Sequence, residues 1–147
     1  MKKGEGFMKK QVHVVAAVIA RSNGDLLCAL RSSEMTQPNM WEFPGGKIEK
    51  GESKEEALIR EIQEELNCTI QVYDQVEDTT YEYEKVIVRL ETFHATIVEG
   101  KPINREHAEF RWVPIERLHE LKWAPADIPA VQKLQKESSV SHDGKTC

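Results

Sequence analysis

The chain has 147 residues, 20 of them basic against 25 acidic, for a formal net charge of −5. That length fits a single domain with one real core, and the net acidity argues against nucleic-acid polymers as partners. No run approaches the roughly 20 apolar residues that a membrane span requires, and Cys28, Cys68 and Cys147 show neither paired spacing nor a Cys-x-x-Cys, so no disulfide framework or zinc site is indicated and a reducing cytoplasm is expected.

In chain order, residues 1–10 are polar and aperiodic and read as a loose tail. Residues 12–20 are apolar behind two lysines, superficially like a signal peptide. The run is short, contains His13 and passes into Arg21-Ser22-Asn23-Gly24-Asp25 without a clear small-residue cleavage site, so it reads as a buried strand entering a hairpin turn. Residues 26–30 and 41–43 read as further strands. Pro44-Gly45-Gly46 suits neither a helix nor a regular strand; it is expected to make a tight loop whose backbone carbonyls and amides stay open to a metal or a phosphate. Residues 54–66 form a helix with both ends marked. Ser53 and Glu56 make a capping box, and Asn67 stands where a left-handed residue ends the helix. Two long strands follow over 70–83 and 85–98, a short one over 110–113, a helical turn over 114–118 and a last helix over 128–136. Residues 138–147 read as a second loose tail. The domain therefore spans 11–137, and mixed strands with helices on separate sides predict an α/β class fold, an α/β/α sandwich with a mixed sheet.

The central helix carries the chemistry. At about 100° per residue, Glu65 falls roughly 40° to one side of Glu61 and Glu64 roughly 60° to the other. Leu58, Ile59, Ile62 and Leu66 occupy the neighbouring arc, so the carboxylates border the buried face. They repel one another at these spacings, and a cation at the rim of the core would offset that. Taken alone, a run of Glu, Lys and Arg on a helix is a solvated, ion-paired face. What sets this one apart is that Gly46, Glu52, Arg60, Glu61, Ile62, Glu64, Glu65 and Cys68 fit one template together.

That template resembles the Nudix box, G-x5-E-x7-R-E-U-x-E-E-x-G-U with U a bulky apolar residue. Asn67 replaces the usual glycine, a mild departure because asparagine also tolerates positive φ. The likeness extends over most of the chain: Trp41-Glu42-Phe43-Pro44-Gly45-Gly46-Lys47 and Trp123-Ala124-Pro125-Ala126-Asp127-Ile128-Pro129 resemble the segments flanking the box in MutT-type nucleotide pyrophosphohydrolases. The resemblance implies the Nudix fold and metal-dependent hydrolysis of a nucleoside triphosphate to monophosphate and pyrophosphate. It implies Mg2+, with Mn2+ able to substitute, held by the hard oxygens of Glu61, Glu64 and Glu65, the Gly45 carbonyl and Glu106. Glu52 and Arg60 complete the catalytic set, Arg60 pairing with Glu52 or another box carboxylate. The resemblance places Arg31 near the substrate and Asp127 at the base; Lys47 and Arg31 are candidates to hold phosphate oxygens, and Phe43 to stack on the base or to pack in the core.

The favoured substrate on this resemblance is an oxidised nucleotide such as 8-oxo-dGTP. A CTP or modified-cytidine pyrophosphohydrolase is the alternative, because the MutT type has asparagine where this chain, like the CTP branch, has Asp127. A reading of a different class is a non-catalytic nucleotide-sensing Nudix module. Such a module is expected to have lost box glutamates, and all are present here. Hydrolysis of ADP-ribose or a dinucleotide has no supporting feature outside the box. The five histidines show no ligand spacing and receive no role. The expected partner is a small nucleotide, with no nucleic-acid polymer and no membrane, and the expected state is a monomer or weak homodimer.

Overall fold

The structure, a computed structural model, describes residues 9–146, with side chains through 138. The tail expected over 1–10 lies outside the described residues except for Lys9 and Lys10, and Cys147 lies outside them altogether.

Strand β1 (Lys10–Ile19) is the axis of the domain. Its side chains alternate between two cores, as the two-residue period of a strand dictates: Val15, Ala17 and Ile19 enter one, Ala16 and Val18 the other. Both faces are covered, which is why the sequence reads as an unbroken apolar run. The remaining strands are β2 (Leu26–Leu30), β3 (Trp41–Glu42), β4 (Gly45–Lys47), β5 (Thr69–Glu82), β6 (Val86–Glu99) and β7 (Glu109–Val113).

Two sheets form where one mixed sheet was expected. The first, in the order β4-β1-β6-β5, is mixed, with β1 parallel to β6 (Val14 beside Leu90) and the other pairs antiparallel. The second, β3-β2-β7, is antiparallel. Helix α1 (Lys54–Leu66) buries Ala57, Leu58, Ile62 and Leu66 against the Val15 face. Helix α2 (Ile128–Thr146) sets Ala130, Val131 and Leu134 in the other core, beside Trp41, Phe43 and Trp123. The helices thus lie on opposite faces, as the α/β/α expectation required.

Helix α1 begins and ends as its sequence predicts. Ser53 accepts from the Glu56 amide and Glu56 reaches back to the Ser53 amide, while Asn67 adopts φ 57°, ψ 40°. Helix α2 runs on past 136, through 138–146, where a loose tail was expected; with no proline after Pro129, nothing in that segment sterically forbids helix.

The tight loop expected at Pro44-Gly45-Gly46 is corrected to strand. Gly45–Lys47 pairs with β1, and neither glycine has a positive φ. Glycine is required here for close approach. A Cβ on Gly45 would collide with the Val15 carbonyl oxygen, and one on Gly46 with the Glu61 carboxylate.

Candidate active site

Strand β4 sets the site against α1. The Ala17 amide donates to Pro44 O and the Ile48 amide to His13 O, so alternate backbone groups of this segment face β1. Those of Gly45 and Lys47 face outward, and Lys47 O accepts from Arg60 Nη2 at 3.0 Å.

Arg60 stands at the centre of the box. Its Nε donates to Glu52 Oε2 at 2.6 Å and its Nη2 to Glu52 Oε1 at 3.0 Å, a two-pronged clamp. Its Nη1 reaches Glu61 Oε2 at 3.0 Å and Glu64 Oε1 at 3.2 Å. With Lys47 O these bonds occupy all five guanidinium donors, and the pairing of Arg60 with Glu52 expected from the sequence is present. The Glu52 carboxyl is held below its ordinary value, chiefly by the Arg60 hydrogen bond. The Glu61 carboxyl is pushed up by burial, against the pull of Arg60. Glu64 is exposed.

Glu65 faces the other way, into a cleft of about 530 Å3 that it shares with Arg31, Glu42, Phe43, Gly45, Lys47, Glu106 and Asp127. Burial, and then the charges of Glu42, Glu61 and Glu106, push its carboxyl up to about 8. Its Oε1 is buried without a hydrogen-bond partner. The cleft is acidic at this end. Further in it is walled by Ala16, Phe43, Tyr83, Val88, Leu90 and Ala126.

The structure therefore divides the expected site residues into two groups. Arg31, Phe43, Gly45, Lys47, Glu65, Glu106 and Asp127 line one cleft, whereas Glu52, Arg60, Glu61 and Glu64 form the clamp beside it. Arg31 is engaged with the protein itself: Nη1 donates to Glu42 Oε1 at 2.7 Å, and Nε and Nη2 donate to Thr36 O and Oγ1. Phe43 is 2 % exposed and packs on Trp123 with ring centroids 4.8 Å apart, so it belongs to the core as much as to the cleft wall. Asp127 is buried and its Oδ1 accepts from the Phe43 amide at 3.2 Å. Burial, and then the charge of Glu42, raise its carboxyl well above the ordinary value. Among the described residues no group of three or more His, Cys, Asp or Glu side chains is gathered into a ready-made metal cluster, because Glu61 and Glu64 are turned onto Arg60.

Sequence reasoning missed Glu42, His107 and Tyr83. His107, which received no role, is buried, and its Nε2 lies 2.8 Å from Glu42 Oε2. Glu42 thus links Arg31 to His107 at the acidic end of the cleft. The only local signal was a charged residue between two aromatics in Trp41-Glu42-Phe43. The Tyr83 hydroxyl accepts from the Ala126 amide at 3.0 Å and closes the far end.

The NUDIX domain profile matches residues 9–134. The CTP pyrophosphohydrolase of Escherichia coli K12 is 37 % identical over 123 residues, covering 84 % of this chain and 90 % of that protein. The 8-oxo-dGTP diphosphatase of the same organism is 31 % identical over 127 residues, covering 86 % and 98 %. Among solved structures, the MutT protein (family Nudix hydrolase) of methicillin-resistant Staphylococcus aureus 252 superposes with a TM-score of 0.73 at 50 % identity, covering 88 % of this chain and 99 % of that one.

Proposed function

The chain belongs to the NUDIX family, and on that premise we propose that it hydrolyses a nucleoside triphosphate to the monophosphate and pyrophosphate, with 8-oxo-dGTP the first candidate. It is a Nudix hydrolase with the Nudix fold. The observation that carries the reading is the polarity of the cleft, acidic where Glu65 meets Glu42 and Glu106 and apolar where a base would sit.

Nudix hydrolases are generally dependent on a divalent metal. The residues present fit one: the donors are all oxygens, and Glu65 Oε1 is buried without a partner. Glu61, Glu64 and Glu65 would hold Mg2+ or Mn2+, with the Gly45 carbonyl on the outer edge of β4 and Glu106 across the cleft. When bound, such a cation supplies neutralisation of the diphosphate oxygens and activation of the attacking water. The chain's own residues do the rest. Glu52 holds Arg60, and Arg60 orients Glu61 and Glu64. Lys47, exposed at the rim, takes a phosphate oxygen. Arg31 reaches a phosphate by exchanging its Thr36 contacts. Phe43 walls the base, and Asp127 reads its edge.

Asp127 favours a second reading alongside the first. A neutral carboxyl donates and accepts side by side. That pairs with the adjacent N7–H and O6 of an 8-oxoguanine, and equally with the N3 and N4 amino group of a cytosine. CTP or a modified cytidine triphosphate is therefore the alternative, in keeping with the E. coli CTP pyrophosphohydrolase relative. A cytoplasmic setting and a monomer or weak homodimer complete the proposal. The thiols of Cys28 and Cys68 suit a reducing compartment, both being free and buried. Gel filtration tests the oligomeric state.

The deciding experiment is kcat/KM with Mg2+ on 8-oxo-dGTP, dGTP, CTP and 5-methyl-dCTP, with products resolved by chromatography. A preference for 8-oxo-dGTP over dGTP with release of pyrophosphate supports the first reading, and a preference for the cytidine substrates supports the second. Nucleotide binding without turnover would instead point to a sensing module.

A further inference from the structure

The most deeply buried charged side chain among the described residues lies outside the cleft. It is Glu91 of β6, 1 % exposed, on the sheet face that α1 covers. A carboxylate leaves water at a large penalty unless it is fully paired, and this one is surrounded by donors. His13 Nε2 lies 2.5 Å from Oε2, while Lys54 Nζ and Gln75 Nε2 donate to Oε1 at 2.8 and 2.5 Å. Arg89, itself clamped on Asp78, stands 3.7 Å away. Burial pushes the Glu91 carboxyl up, and the hydrogen bonds from Lys54, His13 and Gln75 outweigh it, leaving the group below its ordinary value.

Two of these partners sit at the ends of one segment. Residues 48–53 join β4 to α1 and carry Glu49 and Glu52. At its start the Ile48 amide donates to the carbonyl of His13, whose ring meets Glu91. At its end stands Lys54, the first residue of α1, where the helix dipole disfavours a cation. A local preference broken beside a buried countercharge marks a position held for a tertiary purpose.

We propose that Glu91 is a positioning residue for the hydrolysis: by gripping His13 and Lys54 it fixes both ends of segment 48–53, and so the direction from which Glu52 holds Arg60. Its kinetic consequence rests on the function proposed above. Its structural consequence, the geometry of the Glu52–Arg60 clamp, does not.

The test uses the full-length protein with Glu91→Gln and Lys54→Met, singly and together. Lys54 is 48 % exposed, and Lys54→Met leaves Glu91 with His13 and Gln75, so the thermal midpoint registers any loss of stability separately from the change in rate. The readouts are kcat and KM, the thermal midpoint, and the Arg60 Nε–H resonance in metal-free protein. Displacing a distant support costs between about tenfold and a hundredfold in rate. Each single variant is therefore expected to lose that much in kcat with KM little changed, and to shift or broaden the Arg60 resonance. The double variant is expected to be no worse than the poorer single one, since both break one linkage. Wild-type kcat and an unmoved Arg60 resonance in Lys54→Met, with only a lower thermal midpoint in Glu91→Gln, would overturn the proposal and leave Glu91 a stability element. If the wild-type protein hydrolyses no nucleotide, the function reading fails and the Arg60 resonance alone decides this one, supporting it if shifted in Lys54→Met and overturning it if not.

Discussion

Glu65 is poorly accommodated by the protein's own groups, with its carboxyl pushed up to about 8 and one oxygen unpartnered. A carboxyl whose folded pKa lies above its unfolded value binds its proton more tightly in the native state. The metal-free protein therefore loses stability as pH rises from the ordinary carboxylate range to about 8, and the loss levels off beyond. Glu52 acts in the opposite sense. Held low by Arg60, it contributes stability above the ordinary carboxylate range that is lost as pH falls through its lowered value. Glu65→Gln should accordingly raise the melting temperature in chelator near pH 9 and change it little near pH 5, while turnover falls by a factor of about 10^2–10^4. Thermal unfolding at both pH values, beside steady-state kinetics, checks the pair of outcomes. Unchanged turnover would sink the metal assignment.

The elements differ in how far their causes lie from their own residues. Helix α1 was legible to the residue because its stop signals are local: Ser53, Glu56 and Asn67 act on amides within one turn. Strand β4 was not, because the reason for its glycines sits in Val15 and Glu61, which the sequence places far from Gly45-Gly46. The two positions should therefore respond differently to alanine. Gly45→Ala drives a methyl into backbone and should cost about 1–3 kcal/mol or more of stability. Gly46→Ala meets the end of a flexible side chain, so it should displace Glu61 and lower kcat with a smaller loss of stability. Urea unfolding and kinetics on both variants separate the two; equal stability losses would contradict the assignment of Gly46 to the site.

At the scale of the whole molecule, class, layers and helix sides were readable from periodicity, but the splitting of the strands into two sheets was not. Nor was the convergence on Glu42, since Arg31 and His107 come from separate segments and meet it only through the tertiary fold. The same holds for Tyr83, whose hydroxyl ties the tip of the β5–β6 hairpin to the Ala124–Asp127 segment across the cleft. Tyr83→Phe leaves the Ala126 amide without that partner, at about 1–3 kcal/mol. KM should rise more than kcat falls, because the change loosens the cleft and spares the clamp; a fall in kcat alone would place Tyr83 closer to the chemistry. The parallel pairing of β1 with β6 has a consequence for the order of folding. A parallel neighbour cannot arrive through a tight turn, and long-range pairing is slow to form. During synthesis the Nudix box emerges well before β6, whose Val88 and Leu90 floor the cleft and whose Glu91 braces α1. A nascent chain that stops short of β6 thus carries every box carboxylate and still has no cleft. Assembly of the cleft therefore waits on the docking of β6 beside β1 and on the residues that follow it, Glu106 and Asp127 among them.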